Sequence, residues 1–205
     1  MGSQYSSSFP SVQLQAEAPS CSAAATSAAA EALLSDDSRL LLKAWKGWRG
    51  DRLLPHRRDL DLVSIARLMP KLVVLEAFGP QRMIFRLAGT EIETLTGLRL
   101  MGRDHIALAA PEQRILRSRL LWGAATQPCG AMSFHNVPHP ESGRMHQIES
   151  FLLPILPDDS AAPIQLIGVA SRLPVVEAGR HITLPLERAG STQHFIDIGA
   201  GIPAL

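Results

Sequence analysis

Between Lys71 and Leu173 the apolar positions change period twice. Lys71 to Phe78 is a β-branched apolar run, Gly79-Pro80 is a turn, and Arg82 to Ala88 alternates around Ile84 and Phe85. That pattern predicts a β-hairpin. Helical spacing follows. Thr90 to Leu95 reads as a short helix opened by Gly89 and closed by Gly97, and Asp104 can cap another turn over His105 to Ala109. Pro111 opens a longer helix to about Ala125, with Ile115, Leu116, Leu120 and Trp122 mostly on one side. Three strands close the region, Gly130 to Val137, Arg144 to Leu156 and Ile164 to Leu173, joined by the loops 138–143 and 157–163. Short loops force these neighbours to run antiparallel. Strands gathered at both ends with helices between them predict an α+β domain: five antiparallel strands, with the helices inserted between strands two and three and packed on one face.

Ahead of this region, Leu41, Ala44, Trp45 and Trp48 form an apolar stripe at helical spacing over residues 39–49, with Ser38 as the expected N-cap and Gly50 as the stop. A polar connector, Leu54 to Leu60, follows, and then a one- to two-turn helix capped by Asp61 that ends before Pro70. The later strands are apolar on both faces. Met145, Phe151, Leu153 and Ile155 alternate with Ile148, Leu152 and Pro154, and Leu72 and Val74 oppose Val73 and Leu75. A sheet wetted on one face alternates more cleanly, so the face away from the inserted helices needs a cover. The Trp45/Trp48 helix supplies it, from the same chain or from a second copy. This makes Leu41, Trp45 and Trp48 interface candidates and a homodimer the expected assembly.

The two ends differ from the middle. Nineteen of the first 38 residues are Ala or Ser, four are acidic and none is basic. Residues 1–38 are expected to be a disordered tail with a nascent helix near Ala28 to Leu34. Residues 174–205 read as a second tail, able to add one edge contact through Phe195 to Ile198. The domain is thus expected over residues 39–173, including its amino-terminal helix.

Composition narrows the function. Charged residues are 19% of the 205-residue chain and net charge is +1, which disfavours a protein built for nucleic acid. The balance conceals an asymmetry, since residues 39–58 are net +6 and the remainder net −5. That basic segment leaves a weaker reading open, contact with an anionic membrane surface or nucleic acid. Two cysteines, Cys21 and Cys129, fit a reducing compartment, and no apolar run is long enough for a membrane span. The expected location is the cytoplasm.

Several short words in this order resemble a known family. Trp45, Trp48-Arg49-Gly50, Leu54-Pro55, Arg57, Asp59 and Asp61 followed by Leu68-Met69-Pro70 are similar to the opening of short bacterial proteins made of a single PAS domain. Arg86-Leu87-Ala88-Gly89-Thr90-Glu91-Ile92 resembles that family's strand-to-helix junction. Gly97 and Gly102-Arg103-Asp104 resemble its next turn, and Glu149 with Leu152-Leu153-Pro154 its fourth strand. The resemblance covers residues 39–173. It implies a non-enzymatic sensory or adaptor module that regulates a partner protein and holds a small ligand, or none, in its cavity. Ile84, Leu95, His105, Leu116, Leu120 and Phe151 are the cavity candidates. Arg86 on its strand is expected to anchor a carboxylate, Glu91 or Asp104.

Cofactor chemistry is constrained by what these positions hold. Flavin-binding light sensors of the PAS family carry Gly-Arg-x-Cys where this chain has Gly102-Arg103-Asp104-His105, so a cysteinyl-flavin adduct at that turn is excluded. Residues 111–125 contain no histidine or cysteine, which disfavours haem. Cys129, His135, His139 and His146 lie close in sequence but lack a CxxC or a helical His pair, and exposed hairpin histidines are the simpler reading. Ser133 and His135 share a strand face without an orienting acid. The alternative function is a small α+β cone enzyme of isomerase or hydratase type, using Glu149 or His105 as base.

Overall fold

The computed structural model describes residues 21–138, 145–173 and 192–203. Among these residues four α-helices, α1 (Cys21–Ala32), α2 (Asp36–Arg49), α3 (Thr90–Thr96) and α4 (Pro111–Thr126), accompany six strands. These are β1 (Leu72–Gly79), β2 (Arg82–Ala88), β3 (Cys129–Pro138), β4 (Met145–Ile155), β5 (Gln165–Arg172) and β6 (Thr192–Asp197). They form one antiparallel sheet in the order β2-β1-β5-β4-β3-β6. The α+β class and the helices between the second and third strands are as the sequence predicts.

Each strand feeds two apolar layers, because successive side chains point to opposite faces. On the inner face Val73, Leu75, Met83, Phe85, Ala131, Leu152 and Leu166 pack against Ile92 of α3 and Leu120, Leu121 and Ala124 of α4. On the outer face Leu72, Val74, Met132, Phe134, Phe151, Leu153, Ile167 and Val169 pack under Leu41, Leu42 and Trp45 of α2. The expected cover therefore comes from the same chain. Trp45 is 0% exposed, and its indole Nε1 donates to the carbonyl of Pro154 at 2.9 Å.

Three sequence expectations are corrected at the edges of this frame. Residues 21–32, inside the expected tail, form α1, which lies beside β6, with Ser27 Oγ accepting the Asp197 N–H at 2.7 Å. Alanine is the best helix former, and its short side chain lets the helix lie close. Within 174–205, residues 192–197 form a full sixth strand on β3 with Phe195 facing inward and Ile196 outward, so the sheet has six strands, not five. α2 starts earlier than expected, capped by Ser35 instead of Ser38. The turn expected over His105 to Ala109 is present, with Asp104 accepting the Ile106 N–H at 2.9 Å.

Gly89 opens α3, and the space around it accounts for the glycine. Its φ is −67°, which any residue adopts, but a Cβ there would lie 2.2 Å from the carbonyl oxygen of Pro70. Only glycine permits that approach of α3 to the preceding segment. Arg86 pairs across the hairpin with Glu76 at 2.6 Å rather than with Glu91 or Asp104.

Candidate functional site

The inner face is apolar at its centre and polar toward the β3–β4 hairpin. Along β3 the residues facing the helices are Cys129, Ala131, Ser133 and His135, since Met132 and Phe134 belong to the opposite layer. Register sets Ser133 against Ser150 and His135 against Ile148 of β4. From the helical side, the His105 ring stands edge-on to Phe85, 5.1 Å between centroids at 88°. The same segment is fixed by its backbone, with the His105 N–H donating to the Met83 carbonyl at 2.7 Å. Arg117 of α4 donates from Nη1 to the His105 carbonyl at 3.0 Å. His105, Arg117 and His135 thus gather where α4, the 103–109 turn and β3 meet, and all three are half-buried.

Their electrostatics share one sign. Burial pushes the His105 imidazole well below its ordinary value, and Arg117 and His135 push it further. Burial and then Arg117 bring His135 down to about 4. Burial alone lowers Arg117. Desolvation and a neighbouring cation both disfavour a protonated imidazole, so at neutral pH one guanidinium stands beside two neutral rings.

The outer face carries its polar chemistry at the amino-terminal end of α2. Glu149 of β4 is 0% exposed. Its carboxylate accepts the Ser35 N–H at 3.0 and 3.2 Å, the Ser35 hydroxyl at 3.1 Å and the Ser38 hydroxyl. A carboxylate against free N–H groups at a helix start satisfies donors that the helix itself leaves open. Burial nevertheless raises the Glu149 pKa, opposed by the Ser38 and Ser35 hydrogen bonds and reinforced by Asp37. Asp37 itself pairs with Lys71 at 2.7 Å and accepts from Ser171 at 3.0 Å. At the other end of this face, Arg57 donates to Gln165, Gln165 to Glu76, and Glu76 meets Arg86.

Of the cavity candidates, His105 and Leu120 lie on the inner side and Leu95 is half-buried on α3. Phe151 does not line that side. The parity of β4 sends Ile148, Ser150 and Leu152 inward and Phe151 outward, under Trp45. Ile84 alternates with the inward Met83 and Phe85, pairs with Glu76 and so also sits on the outer parity. Leu116 is 42% exposed on α4. Of the interface candidates, Leu41 and Trp45 are fully buried in their own chain and Trp48 is partly buried against the same layer. Glu149 and His105, the two bases of the alternative reading, are on opposite faces of the sheet. Cys129 is buried near the other end of β3 from His135, its thiol pushed upward by burial and then by Asp197. His139 lies outside the described residues. Among those described, no group of three ligating side chains could hold a metal.

Arg117 was the missed residue. Its signal is positional: Arg117, Leu120, Leu121 and Ala124 share one helical stripe, so the guanidinium is carried onto the buried side of α4. The basic segment also resolves into structure. Arg39 donates to the carbonyls of Leu34 and Ala32, Lys46 meets Glu31, Arg49 donates to Ile198, Arg52 pairs with Asp59 and Arg57 holds Gln165. No helix among the described residues is long and apolar enough to cross a membrane.

No curated protein matches the chain. Among solved structures, VqmA bound to DPO superposes with a TM-score of 0.41 at 18% identity, covering 56% of this chain and 57% of that one. The chain therefore spans just over half the length of that protein. The PAS domain of a protein from Colwellia psychrerythraea gives a TM-score of 0.40 at 18% identity, over 55% of this chain and 96% of that one. A LOV protein of Rhodobacter sphaeroides gives 0.40 at 14% identity, over 56% and 69%. The family model described as "PAS domain" matches residues 34–171, from the cap of α2 to the end of β5. With that match spanning most of the sequence, the chain belongs to the PAS domain family.

Proposed function

We propose that this chain is a non-enzymatic sensory or adaptor module that works in the cytoplasm, takes a small molecule on its inner face and passes its state to a partner protein through α2. One observation carries the reading. β4 presents Ile148 and Ser150 to the inner side and, between them, Glu149 to the start of α2. A shift of this strand driven by a ligand is felt directly by the carboxylate that grips the helix. A ligand moves the module only by its differential affinity for the two arrangements. The cone-enzyme alternative needs an acid and a base converging on one substrate, and Glu149 and His105 face away from each other across the sheet. Self-association fits the same reading when α2 of each copy covers the sheet of the other, because the exchanged helix makes the contacts seen within one chain.

The test is native mass spectrometry of the full chain purified from its own host, paired with amide hydrogen exchange before and after stripping. The expected result is a retained small molecule whose removal speeds exchange in the first turn of α2. A chain that carries nothing, and whose α2 exchange is unmoved by host metabolite extract, would overturn the proposal.

A further inference from the structure

The inner face carries a charge, Arg117, with no counter-ion among the described residues. Arg117 donates to one backbone carbonyl, and no carboxylate among the described residues hydrogen-bonds it or acts on either imidazole beside it. The side chains of His105 and His135 make no hydrogen bond to any described residue; the His105 ring stands edge-on to Phe85. A half-buried guanidinium is costly unless it is paired, and buried charges in folded chains ordinarily find a counter-charge. Here no counter-charge stands among the described residues, while three nitrogen-bearing groups converge from a helix, a turn and a strand. The surrounding wall is apolar, with Phe85, Met83 and Ile148 all buried.

We infer that the site formed by Arg117, His105 and His135 binds the carboxylate end of a small organic acid, with the apolar part of that acid against Phe85 and Ile148. The planar guanidinium matches a carboxylate with two parallel N–H donors, and each imidazole adds one donor from its N–H. The apolar wall favours an organic acid over inorganic phosphate, which would leave Phe85 and Ile148 unused. An anion placed here also favours protonated imidazole, so binding draws protons onto His105 and His135.

This inference rests on the sensory reading and is tested separately from it. The full chain is titrated with benzoate, with hexanoate, with the neutral benzamide and with inorganic phosphate, while the imidazole resonances of all histidines are followed by NMR. Benzoate or hexanoate is expected to move the His105 and His135 signals saturably, with benzamide inert and phosphate weaker. Binding should fall roughly tenfold or more in Arg117→Gln. Because Arg117 also steadies the 103–109 turn, His135→Gln is the second variant; it breaks no hydrogen bond and should still weaken binding severalfold with its melting temperature retained. Equal binding of benzamide, stronger binding of phosphate, or no response of His105 and His135 to either acid would each overturn the inference. A neutral molecule retained from the host would do so too, while leaving the sensory reading intact.

Discussion

Glu149 shows how a single side chain can stabilise a helix and resist its own ionisation. It accepts from Ser35 and Ser38 yet is fully removed from water, and burial raises its pKa. Replacing it by Ala leaves the Ser35 N–H and the Ser38 hydroxyl without an acceptor inside a closed face, the Ser35 hydroxyl keeping Ser38 Oγ at 3.4 Å, and should cost about 1–3 kcal/mol of stability, read from urea unfolding. Glu149→Gln should cost far less at neutral pH, because the amide oxygen can take the Ser35 N–H, its nitrogen can donate to the hydroxyls, and no charge is desolvated. The sign with pH follows. Between its ordinary value and its raised folded value the folded state holds the extra proton, so stability from this group is present at low pH and is lost as pH rises through that window. Glu149→Gln should abolish that decline; an unchanged profile would mean that another group titrates there. The imidazoles act in the opposite sense. His135 is lowered to about 4 and His105 is also well below its ordinary value, with Arg117 the cation facing both. The unfolded chain therefore binds more protons below the ordinary imidazole pKa, and stability falls as pH drops from about 6.5 toward 4. Thermal melts at successive pH values should show a shallower acid slope in His135→Gln than in the unaltered chain.

At the scale of elements, α2 is the piece whose contribution is largest for its length. Trp45 fills the outer layer and spends its one donor on Pro154. Trp45→Ala should cost about 3–5 kcal/mol through lost burial and the cavity left behind. Trp45→Phe keeps most of the area but orphans the Pro154 carbonyl and should cost about 1–3 kcal/mol. Near-equal costs would mean that the indole hydrogen bond, not packing, dominates. The stripe Leu41, Ala44, Trp45 and Trp48 made this helix legible in the sequence, as did the two-faced strands that demanded a cover. Element order was legible for the same reason: the changes of period at Gly79, Gly89 and Pro111 are strong punctuation. What stayed hidden was low in contrast. α1 is built of Ala and Ser, whose small side chains give no periodic signal even where Ala30 and Ser27 are buried against β6. β6 is six residues flanked by Gly and Pro, and only its partner β3 makes it a strand. Parity within a strand was readable, but not which parity faced the helices, so Phe151 and Ile84 were assigned to the wrong side. Arg117 was hidden by its charge, since a guanidinium on a helix is expected in solvent until the stripe it shares with Leu120 and Leu121 is noticed.

In the whole molecule one sheet serves two apolar layers, and every strand from β1 to β5 belongs to both. Removing α2 altogether would expose the outer side chains of all these strands at once, at a cost approaching that of unfolding the domain. The two layers should therefore melt together. Variants that keep only Trp45 on the outer side or only Trp122 beside the inner layer should report coincident denaturation midpoints, with any ligand-linked opening confined to the first turn of α2 that Glu149 holds. The same cost governs assembly. A homodimer that exchanges α2 must open the outer layer before it can close again, so exchange between folded copies should be as slow as unfolding, while chains that fold near one another can pair in either way. Refolding at high protein concentration should then yield a dimer by light scattering, refolding at low concentration a monomer, and the two should persist for long periods after adjustment to one concentration. Rapid interconversion on dilution would show that copies associate through a surface left open by the folded chain, and would remove α2 from the interface. The exposed side chains Ile115 and Leu116 on α4, 66% and 42% accessible, would then be the place to seek it.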